Sequence, residues 1–355
     1  VYVRFRVDGI IYDNLTYSLE QHAQIISRIK ILSNLDIAQN RTPQDGRFDV
    51  RIGKHMFDIR VSIVPLTTGQ KAALRLLPKQ PAWMNFSQLG LTDANAATLA
   101  QMIERPFGMV LATGPTGSGK TTTLYACLAQ INYIEKNVIT IEDPVEHRIP
   151  RLGQIQVNPK VGLTFATGLR SILRQDPDVI LVGEIRDPET LEMAIHSALT
   201  GHLVLSTLHC NDAAAAAARM IDMGAEPFLV ASAISGIVSQ RLVRRICEKC
   251  MAPAPVSDMA RAQLHVEDDG TTYYRGAGCP HCRGLGYLGR ISVFEVVPIS
   301  EELQQAILHK ASAGELRGII REAGIPSLRE DGLAKARAGI TTLDEVLRAV
   351  FVEVV

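Results

Sequence analysis

Residues 114 to 121 read Gly114-Pro115-Thr116-Gly117-Ser118-Gly119-Lys120-Thr121, a complete G-x-x-x-x-G-K-[ST] pattern. The apolar run Met109-Val110-Leu111-Ala112 stands ahead of it, and the helix-like Thr122-Thr123-Leu124-Tyr125-Ala126-Cys127-Leu128 follows. Strand, glycine loop and helix in this order make the context in which the pattern cradles phosphates. Gly114, Gly117 and Gly119 let the backbone curl until several amide N–H groups point at one spot, and the new helix adds its positive end there. Lys120 can reach the β- and γ-phosphates, and the Thr121 hydroxyl can ligate Mg²⁺. Residues 114 to 121 together with Thr122 are therefore the expected ATP-binding residues. A glycine-rich turn before an ordinary helix is the plain alternative; it leaves the adjoining strand and the Lys-Thr pair without a reason.

Outward from the loop, apolar strands alternate with helices between about 89 and 245. The strand patterns lie at 108–113, 138–141, 179–183 and 203–207, which predicts a parallel sheet with crossover helices. The expected fold class is thus α/β, a phosphate-loop ATPase domain. A small α+β (PAS-like) domain is expected to precede it over residues 1–80. Val1, Val3, Phe5 and Val7 alternate there with Tyr2, Arg4 and Arg6, as in a strand already under way. Such a start, with no initiator Met, leads us to expect a further N-terminal portion. Ser18-Leu19-Glu20-Gln21 has the form of a capping box ahead of the stripe Ile25, Ile26, Ile29 and Leu32. Asp45-Gly46 and Ile52-Gly53-Lys54 are expected turns, and Pro78 to Pro81 opens an expected linker at 81–88. Beyond the core come a tetracysteine segment, 246–290, and a C-terminal helical segment, 291–355, with helices at 301–310, 313–323 and 342–350.

The bulk numbers exclude several classes. At 355 residues, 46% hydrophobic and 21% charged, the chain has the composition of globular domains with real cores. Lys and Arg total 37, as do Asp and Glu, so no global basic field recruits nucleic acid or anionic lipid. No apolar run approaches the roughly 20 residues that a membrane span needs.

Cys247-x-x-Cys250 and Cys279-x-x-Cys282 form two close pairs separated by 28 residues, while Cys127 and Cys210 stand alone. Four thiolates delivered from two tight turns suit tetrahedral Zn²⁺ better than disulfides or a redox pair. Such a site is architectural, because four sulfur ligands leave no open coordination position. The long separation predicts an excursion between the pairs.

In open α/β sheets, ligands bind beyond the carboxyl ends of the strands. Glu142 and Asp143 follow one strand pattern, Glu184, Arg186 and Asp187 another, and His209 a third. A lone acid at a strand end is commonly just solvated; three such positions beside one phosphate loop make a candidate catalytic set. The expected roles are Glu184 on the Mg²⁺ water shell or the lytic water, Glu142 as general base or water-orienting group, and His209 as γ-phosphate sensor. Arg60 lies on the polar side of a strand whose Ile59, Val61 and Ile63 face a core, and Arg75 lies on the neighbouring strand. Arg170 and Arg174 sit at i, i+4 on one helix. These four are either solvated surface or arginine fingers that neutralise transition-state charge.

With these motifs in view, the chain resembles the secretion ATPases of bacterial type II secretion and type IV pilus assembly. Four boxes in order carry the resemblance. They are the phosphate loop, Thr140-Ile141-Glu142-Asp143-Pro144-Val145-Glu146, Val182-Gly183-Glu184-Ile185-Arg186-Asp187, and the histidine box Gly201-His202-Leu203-Val204-Leu205-Ser206-Thr207-Leu208-His209. The tetracysteine pair and the upstream Pro43-Gln44-Asp45-Gly46-Arg47 and Asp58-Ile59-Arg60-Val61-Ser62 extend it over nearly the whole chain. Gln70, Cys210 and Ser292 depart from the pattern without touching the loop or either acid. The resemblance implies a RecA-like ATPase that works as a cytoplasmic homo-hexamer, peripheral to the inner membrane. Its implied partners are an inner-membrane platform protein and a membrane-docking component. It further implies nucleotide or intersubunit contacts at Arg60, Arg75, Arg170 and Arg174. Type IV pilus assembly is the favoured role and type II secretion the alternative. A pilus-retraction ATPase shares the boxes but usually lacks the four cysteines. A zinc-ribbon nucleic-acid remodeler lacks support in the balanced charge, and a catalytically silent scaffold is at odds with the intact Lys120, Thr121, Glu142 and Glu184.

Overall fold

The structure, a computed structural model, describes residues 1–78, 84–267 and 269–350. The chain divides into two compact units, Val1–Ala82 and Trp83–Val355. Residues 81–83 of the expected linker lie outside the described residues.

In the first unit β1 (Tyr2–Val7) and β2 (Ile10–Thr16) form an antiparallel hairpin. Its turn, Asp8-Gly9, has positive φ at both residues, the geometry that suits a two-residue loop between right-twisted strands. Helix α1 (Leu19–Leu32) starts on the foreseen capping box, with Ser18 and Gln21 satisfying each other's backbone N–H. An antiparallel meander follows, β3 (Gln44–Ile52), β4 (His55–Leu66) and β5 (Gly69–Pro78). Alternation along β4 buries Ile59, Val61 and Ile63 and turns Arg60 to the other face. Gly53-Lys54 makes the expected turn between β3 and β4, but Asp45-Gly46 does not turn; it lies inside β3. Gly46 is required there for a different reason: a Cβ would come within 2.7 Å of the Ser33 carbonyl.

The second unit opens with α2 (Phe86–Leu89) and α3 (Asp93–Glu104). The succession β6 (Gly108–Thr113), α4 (Lys120–Gln130), β7 (Val138–Glu142), β8 (Gly153–Gln156), α5 (Phe165–Ile172) and β9 (Val179–Val182) comes next. It continues through α6 (Pro188–Leu199), β10 (Leu203–Leu208), α7 (Ala213–Asp222), α8 (Pro227–Ala233) and β11 (Ile234–Ile246). An excursion holds β12 (Met251–Pro253), α9 (Asp258–Gln263) and β13 (Tyr274–Gly276). Then come β14 (Tyr287–Pro298), α10 (Glu301–Leu308), α11 (Ala313–Glu322), α12 (Leu328–Arg337) and α13 (Leu343–Val350).

Seven of these strands form one sheet in the order β14-β11-β6-β10-β9-β7-β8, parallel throughout except for the β11–β14 pair. Both faces are covered, so the central strands are buried at every position rather than at alternate ones and read as largely apolar runs. Met109, Leu111, Ile180, Val182 and Val204 face one buried cluster. Val110, Ala112, Leu181, Leu205 and Val238 face the other. The four expected strands are all present. Three more, β8, β11 and β14, were not foreseen, and β14 crosses the expected boundary at 290–291 to complete the main sheet. Helix α12 is also new. It supplies Asp331, which accepts the Phe294 N–H of β14 at 2.8 Å and pairs with Lys335 in a buried setting. Glu345 of α13 accepts from the Arg244 backbone and guanidinium and from Arg348. Buried charges persist when paired and hydrogen-bonded, and here they fasten the last helices to β11 and β14. Among the described residues no helix is long and apolar enough to cross a membrane.

Candidate active site

The phosphate loop leaves the carboxyl end of β6 and enters α4 at Lys120, flanked by β10 on one side and β11 on the other. Gly114, Gly117 and Gly119 all have positive φ, where glycine carries no steric penalty. At Gly114 space is as binding as conformation: a Cβ would stand 2.5 Å from the Gln240 carbonyl. Pro115, Thr116 and Gly117 are exposed at the mouth, as are Thr121 and Thr122, while Ser118 is buried. The Lys120 ammonium donates to the carbonyls of Gly114 (2.7 Å) and Pro115 (3.1 Å). Burial pushes its pKa down to about 8; Glu184 opposes the shift and Arg241 adds to it. Bound phosphate favours the ammonium form, so nucleotide affinity is full below that value and declines as pH rises through it. Raising the pH from about 7 to about 9 is expected to weaken nucleotide binding about tenfold, read by titration of a fluorescent nucleotide. In Lys120→Arg, which stays charged, the residual affinity is expected to be flat over the same range.

Glu184 follows β9 and is nearly enclosed. One carboxylate oxygen meets Arg186 Nε at 2.5 Å and His209 Nε2 at 3.5 Å. The sheet order explains the encounter: β10 lies between β6 and β9, so His209 at its end stands between the phosphate loop and Glu184. Lys120, Glu184 and His209 thus gather at one mouth. Glu142 ends β7, two strand positions beyond β10, and is turned inward. Its oxygens accept hydrogen bonds from Tyr125 Oη (2.5 Å), Thr140 Oγ1 (2.6 Å) and Gln154 Nε2 (3.3 Å). Burial and the adjoining carboxylate push the Tyr125 hydroxyl above its ordinary range, keeping it a donor. Tyr125 belongs to α4, so Glu142 is linked to the phosphate-loop helix. No local signal marks Tyr125, Thr140 or Gln154 for this contact.

Arg170, exposed on α5, pairs with Glu189 of α6 at 3.0 Å. Arg174 does not share that helix as expected: α5 ends at Ile172, and Arg174 is exposed in the turn beyond it, donating to the Arg170 carbonyl at 2.9 Å. In the N-terminal unit, register places Arg60 directly opposite Arg75 on one side and Arg47 on the other. Like charges on one rung repel, and the Asp58 carboxylate, 4.0 Å from Arg60, offsets this in part. Arg47 is a member of the rung that its sequence position does not reveal.

The four cysteines Cys247, Cys250, Cys279 and Cys282 converge, with all sulfurs within 4.8 Å of one another. The separations Cys247–Cys279, Cys250–Cys282 and Cys279–Cys282 are 3.9, 3.8 and 3.7 Å. A tetrahedron with metal–sulfur bonds of about 2.3 Å has edges of about 3.75 Å, whereas a disulfide needs about 2.05 Å. The cluster therefore has the size of a tetrahedral zinc site. Backbone N–H groups of Cys279 and Gly286 donate to Cys282 Sγ, both at 3.2 Å, as suits a thiolate ligand.

Sheet, loop and acid together define a phosphate-loop α/β ATPase fold. Residues 1–348 match the family described as Type II/IV secretion system protein, and the chain belongs to that family. It is 46% identical over 347 residues to the Type II secretion system ATPase E of Vibrio cholerae, covering 98% of this chain and 69% of that one. The Type IV pilus assembly ATPase PilB of Myxococcus xanthus is 46% identical over 351 residues, covering 97% and 62%. The solved structure of the pilus retraction motor PilT with bound ADP aligns with a TM-score of 0.63 at 27% identity, covering 97% of this chain and 89% of that one.

Proposed function

We propose that this chain hydrolyses Mg-ATP as one subunit of a cytoplasmic homo-hexameric motor that assembles pilin-like fibres at the inner membrane. The observation that carries the reading is the meeting of Glu184 and His209 beside the phosphate loop that holds Lys120. Phosphoryl transfer needs positioning and charge neutralisation more than covalent chemistry. The loop amides and Lys120 bind the phosphates. Mg²⁺, for which the exposed Thr121 hydroxyl is the fitting ligand, supplies charge neutralisation when bound. Glu184 orients the attacking water, and His209, sharing a carboxylate oxygen with Arg186, stands where it can register the γ-phosphate. Glu142, with three donors on its oxygens, fixes the second acidic strand end to α4 rather than facing the phosphates directly. The tetracysteine cluster holds Zn²⁺ as a brace.

The rung of Arg47, Arg60 and Arg75 is the kind of concentrated positive charge that an anion relieves. Arg60 and Arg75 accordingly act as fingers toward nucleotide at a subunit boundary, with Arg170 and Arg174 as further contacts. Of the fibre-building machines, the relatives carry type II secretion names more often than pilus names, and pseudopilus assembly is the reading adopted. Type IV pilus assembly, the role first expected, is the second reading, supported by the equal identity to the Myxococcus protein. An inner-membrane platform protein and a membrane-docking component are the partners this role requires, and membrane association is through them.

The test is ATP hydrolysis per subunit against protein concentration, in Mg²⁺, for the wild type and Arg60→Ala. A specific rate that climbs with concentration and falls by about a hundredfold or more in the variant supports sites completed between subunits. A flat rate insensitive to Arg60 removes the ring motor in favour of a self-sufficient subunit.

A further inference from the structure

Strand β11 is parallel to β6 with Ser239 opposite Thr113, the last residue of β6, and their hydroxyls are 2.8 Å apart. The next two residues, Gln240 and Arg241, therefore run on beside the phosphate loop. Both are buried, Gln240 completely, which is unusual for side chains of this kind. Gln240 Nε2 donates to the Ser118 carbonyl inside the loop at 2.8 Å. The same nitrogen and the Gln240 carbonyl set the tight clearances at Gly119 (3.0 Å) and Gly114 (2.5 Å). Arg241 faces the other way. Its guanidinium donates to the Gln240 carbonyl at 3.2 Å and to the Asn211 carbonyl at 3.0 Å, two residues after His209. Asp212, the next residue, caps α7 by accepting the Ala215 N–H.

We infer that Gln240 and Arg241 are a pair of positioning residues, resting on the ATPase reading above. Gln240 fixes the phosphate loop in its binding shape, and Arg241 ties the loop that carries His209 to the same strand. Neither touches the reacting atoms. Gln240 acts on affinity, because the direction of the loop amides depends on where Ser118 is held. Arg241 acts on turnover, because it sets the height of His209 against Glu184. The charge of Arg241 also reaches Lys120, so the two loops share one electrostatic neighbour as well as one strand. A polar Ser-Gln-Arg step between the apolar pairs Ile237-Val238 and Leu242-Val243 is the sequence mark of the device.

The experiment compares Gln240→Met and Arg241→Met with wild type in nucleotide titration, steady-state hydrolysis and thermal melting. Gln240→Met keeps size and loses the donor. It is expected to weaken ADP and ATP binding about tenfold, the scale of one lost hydrogen bond, with kcat at saturation within about threefold. Arg241→Met is expected to lower kcat about tenfold or more with nucleotide affinity within about threefold, and Arg241→Lys to restore part of that kcat. If Gln240→Met does not fold, Gln240→Asn gives the same reading, because it stays neutral and its shorter amide falls short of the Ser118 carbonyl. Binding and kcat unchanged in both positions overturn the inference. So does a parallel loss of affinity, kcat and melting temperature, which is the mark of packing alone. A wild type that binds no nucleotide overturns the ATPase reading instead, and the two failures are thereby distinct.

Discussion

Glu184→Gln is expected to lower ATP turnover by about a thousandfold while leaving nucleotide affinity within a few-fold of wild type. The substitution preserves shape, so the amide stays at the end of β9 with Arg186 and His209 around it. What disappears is a fixed negative charge in a nearly enclosed place, where charge acts through a lower dielectric than at the surface. That charge opposes the downward shift of the Lys120 pKa and holds the His209 ring by one oxygen. Ground-state binding rests on the loop amides and Lys120, which the change leaves in place. Phosphate release and titration with a fluorescent nucleotide measure the two halves separately. Turnover within a few-fold of wild type would remove Glu184 from the chemistry. Glu142 makes an instructive contrast. An amide there turns a donor toward Tyr125 and Thr140, so any loss of rate comes with a looser α4.

Removing the Zn²⁺ proposed for the tetracysteine cluster is expected to be the largest single loss of stability available in the chain. The cluster closes the neck of an excursion whose own core is small: Ala260, Leu264, Val266 and Tyr273 pack against Leu333, Ala336, Leu343 and Val346 of α12 and α13. Structural zinc contributes about 10–16 kcal/mol of apparent binding free energy in small domains. Little of that can be replaced by so few apolar side chains. A strong chelator, or Cys282→Ser, is expected to lower the melting temperature by about 10 °C or more, with the purified chain carrying one zinc per subunit. Purified protein without metal, melting no differently after chelation, would sink the assignment. Cys127→Ser is the informative comparison, since that thiol is buried in the main core away from the cluster and its replacement leaves metal content alone.

Much of this was legible because it is written locally. The phosphate loop, the acids at strand ends, His209 and the paired cysteines are short patterns whose chemistry fixes their spacing. Four central strands declared themselves as apolar runs, since both faces of a parallel sheet are covered. Strand β11 hid behind Ser239, Gln240 and Arg241, polar residues whose partners come from the end of β6, the phosphate loop and the loop after β10. Strand β14 hid because its first residues, Tyr287 to Arg290, pair with the end of β11 but are at most half-buried, and its buried Glu295 finds its partners in the α7 backbone and Ser239. The same limit applied to the site. That Glu142 stands at a strand end was readable from its position; that Tyr125, Thr140 and Gln154 hold it was not, because the contacts come from α4, from its own strand and from β8. Asp45-Gly46 misled for a related reason: the glycine answers a close approach by Ser33, not a turn.

The central place of β6 has a consequence for the order in which the protein is made. The strand that launches the phosphate loop pairs only with β10 and β11, both of which are synthesised long after it. While the ribosome is still short of residue 234, the loop has been translated but lacks the strand against which Gly114 and Ser118 pack. Domains tend to fold as whole units once their chain has emerged. The nucleotide pocket is therefore among the late parts of the molecule to mature, and an unfinished chain has no formed cradle with which to draw on the cell's ATP.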